Sequence, residues 1–219
     1  MKGTASPFLE SSDSRDICNQ RNFSNQVPSR LRLESWVGNP ISHSLTPRLF
    51  SLVGGYLGIT AGTVYLEARG IDEFASLVED LEGEVWTSCT APLKHSPQER
   101  LGVNGPEGVN AINQLRRKDG VWSGTSTDGV GFVAACRHIG IEPKGCVLRI
   151  RGGGSAARAI AAAWSNEGGQ IIAEEGRRPL VSGPWDSAII DDGDAVIGID
   201  LDAAPAGGDS TPLDAEIQV

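Results

Sequence analysis

Between residues 33 and 139 the apolar positions switch repeatedly between short runs and helical spacing. Leu33-Glu34-Ser35-Trp36-Val37 predicts a short strand, stopped by Gly38-Asn39-Pro40. Leu49, Leu52, Val53, Tyr56 and Leu57 then recur at helical spacing and make one apolar stripe. Thr46 suits the N-cap of that helix, and Pro47 suits its first position because the missing N–H would have had no partner. Gly54-Gly55 weakens the helix by roughly 1 kcal/mol each relative to Ala, so packing of the stripe has to hold it. Thr63 to Leu66 predicts a second strand. Phe74, Leu77, Val78 and Leu81 predict a second amphipathic helix ended by Gly83, and Glu84 to Cys89 a third strand. Beyond a stretch broken by Pro92 and Pro97, Ala111 to Arg116 and Val121-Trp122 flank Asp119-Gly120. That pair signals a hairpin, since both residues tolerate positive φ. Asp128 to Ile139 predicts another helix. Strands alternating with helices imply an α/β layer domain.

From Cys146 the pattern tightens. Cys146 to Ile150 reads as a buried strand, Arg151-Gly152-Gly153-Gly154-Ser155 as a glycine turn, and the alanine-rich run to Asn166 as a helix closed by Gly168-Gly169. Gln170 to Glu174 follows as a strand, completing one βαβ unit. After Pro179 regularity fades until Ala195 to Ile199, a short apolar strand before a Gly/Pro/Asp-rich tail. A domain boundary is expected at Gly140 to Gly145. The division is a disordered leader over 1–32, a first α/β domain over 33–140, and an incomplete Rossmann-type dinucleotide-binding domain over 141–219.

The composition narrows the partners. The 219-residue chain carries a formal net charge of −9, which gives no general attraction to nucleic acid. No apolar run is long enough to span a membrane, and none of signal-peptide length opens the chain. Four cysteines, Cys18, Cys89, Cys136 and Cys146, form no CxxC pair, and three histidines have no ligand spacing, so no metal site is expected. The cysteines read as free thiols in a reducing compartment, the cytoplasm.

Any anionic ligand must therefore meet a local site, and two regions offer one. Gly152-x-Gly154-x-x-Ala157 lies between a strand and a helix, where glycines let a pyrophosphate approach the helix N-terminus and a small third residue lets helix and strand pack closely. Gly152, Gly153, Gly154, Ser155 and Ala156 are the candidate cofactor residues. At the end of the next strand, Glu174-Glu175 would suit a ribose hydroxyl and Arg177-Arg178 a 2′-phosphate, so residue types alone leave NAD and NADP open. The other region is three stretches: Gly38 to Pro47 with the hydroxyls of Ser44 and Thr46 at a helix start, Ser88-Cys89-Thr90-Ala91-Pro92-Leu93-Lys94, and Asn110-Ala111-Ile112-Asn113 with Gly124 to Phe132, which puts Asp128 at a helix start.

Taken in order, these stretches resemble the shikimate/quinate dehydrogenase family, whose pattern runs GxPIxHSxSP, NVTxPxK, GAVNT, GxNTDGxGF and GAGGA. The match covers roughly Trp36 to Glu174. It implies a substrate domain followed by a nicotinamide-binding domain, and reversible NADPH-dependent reduction of 3-dehydroshikimate to shikimate, a step toward the aromatic amino acids. By the same resemblance Lys94 and Asp128 are the catalytic pair, and Ser44, Thr46, Thr90 and Asn113 bind substrate. Arg177 stands near the position that favours NADP in the family, with NAD as the alternative. The chain departs from the pattern at Ser88, Ser126, Phe50-Ser51, Gly154-Ser155 and the Glu174 to Arg178 region. It also ends before the family's later Rossmann strands and its glutamine-bearing C-terminal helix, which implies a shortened dinucleotide domain. Two readings follow: an NADP-dependent oxidoreductase of small molecules, shikimate or quinate, or a non-catalytic regulatory domain resembling the corresponding part of fungal quinate repressors. Residue patterns leave the oligomeric state open.

Overall fold

The computed structural model describes residues 32–38, 45–59, 61–90, 93–94, 100–202 and 212–219. The expectations for the leader, apart from Arg32, and for Ser44 and Cys18 lie outside these residues. The fold is α/β, built on two sheets. In the first, strands β1 (Arg32–Gly38), β2 (Ala61–Glu67), β3 (Glu84–Cys89), β4 (Gln114–Lys118) and β5 (Val121–Thr125) lie in the order β2-β1-β3-β4-β5. β1 runs parallel to both β2 and β3, while β4 and β5 are antiparallel additions. The hairpin turn forms as its chemistry requires, with φ of 50° at Asp119 and 77° at Gly120.

Among the described residues, helices α1 (Thr46–Tyr56) and α2 (Ile71–Glu79) accompany this sheet. Helix α2 drops Phe74 and Val78 into a core with Leu66, Cys89, Leu93, Val103, Ile112 and Leu115. Arg117 reaches over from β4, its guanidinium 5.6 Å from the Trp122 ring centroid, and donates to the carbonyls of Val78 and Leu81. Carbonyls at a helix end have no partner within the helix, so Arg117 both caps α2 and ties it to the sheet. Helix α1 differs from its sequence expectation twice. Leu45 is the N-cap, Thr46 the first helical residue and Pro47 the second, a position where an N–H is still unneeded. The stripe also packs far less than expected: Leu49, Leu52, Val53, Tyr56 and Leu57 are all more than half exposed, and the buried residue of the helix is Gly54.

The second sheet is parallel, in the order β7-β6-β8-β9, from β6 (Val147–Arg151), β7 (Gln170–Glu174), β8 (Ile197–Asp200) and β9 (Ile217–Gln218). The tail is more regular than its composition implies: β9 pairs with β8 and places Ile197 and Ile199 inside the sheet, both buried. Helices α3 (Asp128–His138) and α4 (Ser155–Asn166) pack on each other, and α4 also packs on the sheet. Ala157, Ile160, Ala161 and Trp164 of α4 meet Leu148 and Ile150 of β6 in one core. The expectation that β6 is a buried strand holds for one face only. Leu148 and Ile150 face the core, whereas Arg149 and Arg151 alternate to the other face and pair with Glu174 at 2.5 Å and Asp200 at 3.0 Å. A parallel sheet is usually apolar on both faces because helices cover both; here two ion pairs share the second face with buried Ile172. No helix among the described residues is long and apolar enough to cross a membrane.

Candidate active site

Register brings four of the candidates, Thr90, Lys94, Asn113 and Asp128, to one end of one sheet. β1 and β3 are parallel, with Val37 opposite Cys89, so their C-terminal ends coincide. β4 starts there, with Gln114 opposite Ser88, and β5 finishes there, with Thr125 opposite Gln114. The residues that follow or precede those ends are Thr90 and Lys94 after β3, Asn113 before β4, and Asp128 after β5. Crevices at carboxyl ends of strands are the usual ligand sites of open α/β sheets.

The chain after β3 is held by two backbone hydrogen bonds, the Leu93 N–H donating to the Thr90 carbonyl at 2.8 Å and the Ile112 N–H to the Lys94 carbonyl at 2.8 Å. It aims Lys94 at the first turn of α3, where Lys94 Nζ donates to Asp128 Oδ2 at 2.5 Å. The pair is largely screened from water, with side chains 19% and 25% exposed. Asn113 is fixed by its backbone, accepting from the Cys89 N–H at 2.7 Å and donating to the Thr125 carbonyl at 3.1 Å. Its side chain donates to Asp128 Oδ1 at 2.5 Å and accepts from the Thr127 N–H at 2.7 Å. Near the pair lies Cys89, whose thiol burial pushes up to about 12 against the opposing pull of Lys94, so it stays protonated at neutral pH. Thr90 is exposed beside this cluster, and Thr46 is half-buried at the start of α1. Lys94 and Asn113 thus each contact Asp128, one on either carboxylate oxygen. Thr127 belongs to the same network and is absent from the sequence-based candidates, although its place directly before the carboxylate is a signal that could have found it.

The glycine turn stands at the C-terminal end of β6. Gly152 takes a φ of 108°, and a Cβ on Gly153 would lie 1.8 Å from the Pro179 carbonyl oxygen, so the segment after β7 closes over that residue. Gly154 is different: a Cβ there would meet only the Arg178 guanidinium, with Nη2 at 3.4 Å. Ser155 and Ala156 open α4 directly beneath, half-buried. A flexible cation therefore covers a helix N-terminus over a glycine backbone, a donor set that fits a phosphate anion. Arg158 lies one turn along; burial, and then the charge of Arg178, lower its affinity for its proton.

Of the two neighbouring arginines, Arg178 is the one over the turn. Arg177 instead directs its backbone N–H to the Asp202 carboxylate and its guanidinium to the Asp202 carbonyl. Glu174 is engaged by Arg149, and Arg151 by Asp200. Residue types alone do not distinguish Arg177 from Arg178, because the direction of Arg177 is set by Asp202 from another part of the chain. Three of the four cysteines, Cys89, Cys136 and Cys146, are described and are free thiols. Among the described residues no cluster of His, Cys, Asp and Glu could hold a metal ion.

No protein-family model matches the chain. A shikimate dehydrogenase (NADP(+)) of Xylella fastidiosa is 34% identical over 137 residues, 60% of this chain and 48% of that protein. The chain spans about half the length of the curated relatives it matches. Among solved structures, the shikimate 5-dehydrogenase of Thermus thermophilus in complex with shikimate superposes with a TM-score of 0.66 at 25% identity, covering 85% of this chain and 73% of that one. The same enzyme in complex with NADP(H) and shikimate gives a TM-score of 0.64 at 24% identity, over 78% and 68% of the two chains. Over its aligned part this α/β chain is similar, in sequence and in fold, to the shikimate dehydrogenases.

Proposed function

We propose that this protein is an oxidoreductase that interconverts 3-dehydroshikimate and shikimate with NADP(H). The observation that carries the reading is the Lys94–Asp128 contact at 2.5 Å, made at the strand ends by residues 34 positions apart. Reduced nicotinamide, when bound, supplies a hydride to the ring carbonyl carbon. The oxygen of that carbonyl then needs a proton. Lys94 holds one on Nζ, Asp128 keeps the ammonium oriented, and partial burial strengthens the interaction between them. In the oxidative direction the neutral amine takes the hydroxyl proton back. Ser44 and Thr46, before and at the start of α1, supply hydroxyls for the substrate carboxylate, and Thr90, exposed after β3, is a further substrate contact.

For the cofactor, Gly152, Gly153, Gly154, Ser155 and Ala156 would hold the pyrophosphate, with Arg178 as its cation and Arg177 beside it. Glu174 is neutralised by Arg149 rather than standing clear for a ribose hydroxyl, which supports NADP over NAD. The division into a substrate domain over 33–140 and a dinucleotide domain over 141–219 belongs to the same proposal, as does a cytoplasmic setting suited to free thiols. Relatives named as dehydrogenases support the enzyme over a regulatory metabolite binder. The test is shikimate-dependent reduction of NADP(+), and separately NAD(+), followed by nicotinamide absorbance. Lys94→Met is expected to lower turnover by about 10²–10⁴-fold with the fold retained. A parent protein that binds shikimate without oxidising it would favour the regulatory reading.

A further inference from the structure

We infer that Arg149 sets the choice between the two dinucleotides by occupying Glu174, the acid that would otherwise serve an adenosine ribose; the inference rests on the dinucleotide-binding reading above. An acidic residue at the end of the second strand of a βαβ unit accepts from the ribose 2′-hydroxyl of NAD and opposes the 2′-phosphate of NADP. Glu174 stands at that place, the last residue of β7, level with Arg151 at the end of β6. Its carboxylate is already engaged. Arg149 Nη1 donates to Glu174 Oε1 at 2.5 Å and Nη2 donates to the Gly193 carbonyl at 3.3 Å, so the guanidinium is held on both sides. Arg151, the nearer neighbour in the register, pairs at 3.0 Å with Asp200 on the strand beyond.

Exposure divides the roles. The Glu174 side chain is 31% exposed at the strand ends, where a ligand reaches it, whereas Arg149 is 13% exposed and starts two residues behind that edge. Arg149 therefore acts through the glutamate, as a positioning residue, without touching the cofactor. Packing gives no reason for an arginine at this place. A parallel strand usually carries an apolar residue there, and a buried ion pair is often replaced by apolar side chains without loss of stability. Arg149 Nε is moreover buried with no hydrogen-bond partner among the described residues, a cost that an apolar side chain would avoid. What the arginine supplies is neutralisation: the paired carboxylate neither favours a free 2′-hydroxyl nor repels a phosphate in its place.

The experiment is dinucleotide binding without turnover, with NAD(+) and NADP(+) each titrated calorimetrically into the full chain. The quantity compared is the ratio of the two Kd values. Arg149→Met keeps an unbranched side chain and removes the partner of Glu174; the ratio is expected to move toward NAD(+) by about tenfold or more, the scale of one hydrogen bond to a charged group. Arg149→Gln also removes the charge while keeping a donor for the Gly193 carbonyl, and repeats the comparison where the methionine variant fails to fold. Glu174→Gln alone is expected to move the ratio less than about threefold, because the carboxylate is already engaged, and added to Arg149→Met it returns the ratio to that of the parent. Arg149→Lys retains the charge opposite Glu174 and holds the parent ratio within about threefold. An unmoved ratio on loss of the Arg149 charge, or a tenfold shift from Glu174→Gln alone, overturns the inference. Glu175, exposed and next along the chain, is the competing acid: a shift that Glu175→Gln cancels and Glu174→Gln does not overturns it as well. A parent chain that binds neither dinucleotide overturns the dinucleotide reading itself, an outcome distinct from binding with an unmoved ratio.

Discussion

Helices α1 and α4 are nearly equal in length, 11 and 12 residues, and both carry an apolar pattern, yet they end in opposite environments. Helix α4 buries Ala157, Ala159, Ile160, Ala161, Ala162 and Trp164, while α1 buries Gly54 and leaves Leu49, Leu52, Val53, Tyr56 and Leu57 more than half exposed. Hydrophobicity does not explain the difference, since the side chains of α1 are the larger ones. Small residues do: a helix of alanines lets a second helix and a sheet approach its backbone on two sides, and a tight fit gives each buried atom more neighbours. At the crossing of α3 and α4, a Cβ on Gly129 would lie 2.0 Å from the Ala159 carbonyl oxygen. Among the described residues nothing comparable presses on the leucines of α1.

The largest effect that would test this contrast is expected at Trp164. Its side chain is fully buried, its indole N–H donates to the Gln170 carbonyl at 3.0 Å, and its ring tilts against Phe132 at a centroid distance of 6.1 Å. Trp164→Ala is expected to destabilise the protein by about 3–5 kcal/mol in urea titrations, through the cavity and the orphaned carbonyl together. A loss below about 1 kcal/mol would mean that α4 is not a tightly packed element. Next comes the crossing itself. Gly129→Val is expected to cost about 3 kcal/mol, because the clash is with backbone and the two helices must part. Gly131, two residues on, would place a Cβ in open space, so Gly131→Ala is expected to stabilise by about 0.5–1 kcal/mol. Opposite signs within one helix separate contact from intrinsic propensity; equal signs would show that propensity alone governs α3.

The same distinction governs what is legible in the sequence. The βαβ unit from Val147 to Glu174 is readable because each boundary has local chemistry: a glycine turn at its start, alanines through the helix and Gly168-Gly169 at its end. The Lys94, Asn113 and Asp128 cluster is readable as a set of motifs, and the sheet register explains why residues so far apart in sequence coincide. The fate of α1 is not readable, since periodicity defines a face and says nothing of what meets it. Nor is the segment after Pro179. Trp185 there is buried, with its indole N–H donating to the Val181 carbonyl at 3.2 Å, and its burial comes from tertiary contact without a long regular element around it. The roles of Arg151 and Arg177 depend on Asp200 and Asp202, more than 20 residues away in each case, and no local signal joins them.

The smallest effect is expected on α1, and it bears most directly on the comparison. Replacing Leu49 and Leu52 together by Ser removes two large apolar side chains, which in a packed stripe would cost several kcal/mol. Here both are more than half exposed, 55% and 63%, so little surface returns to water when they are lost. Serine is a somewhat poorer helix former than leucine, but only by tenths of a kcal/mol. The double variant is therefore expected to change unfolding free energy by no more than about 0.5 kcal/mol per site, the range of ordinary surface substitutions. Solubility should rise instead, because a contiguous apolar patch promotes association. The measurement is a urea titration at several protein concentrations. A concentration-independent loss of about 2 kcal/mol or more would show that other residues of this chain cover the stripe, and the contrast between α1 and α4 would collapse into two buried helices with different neighbours.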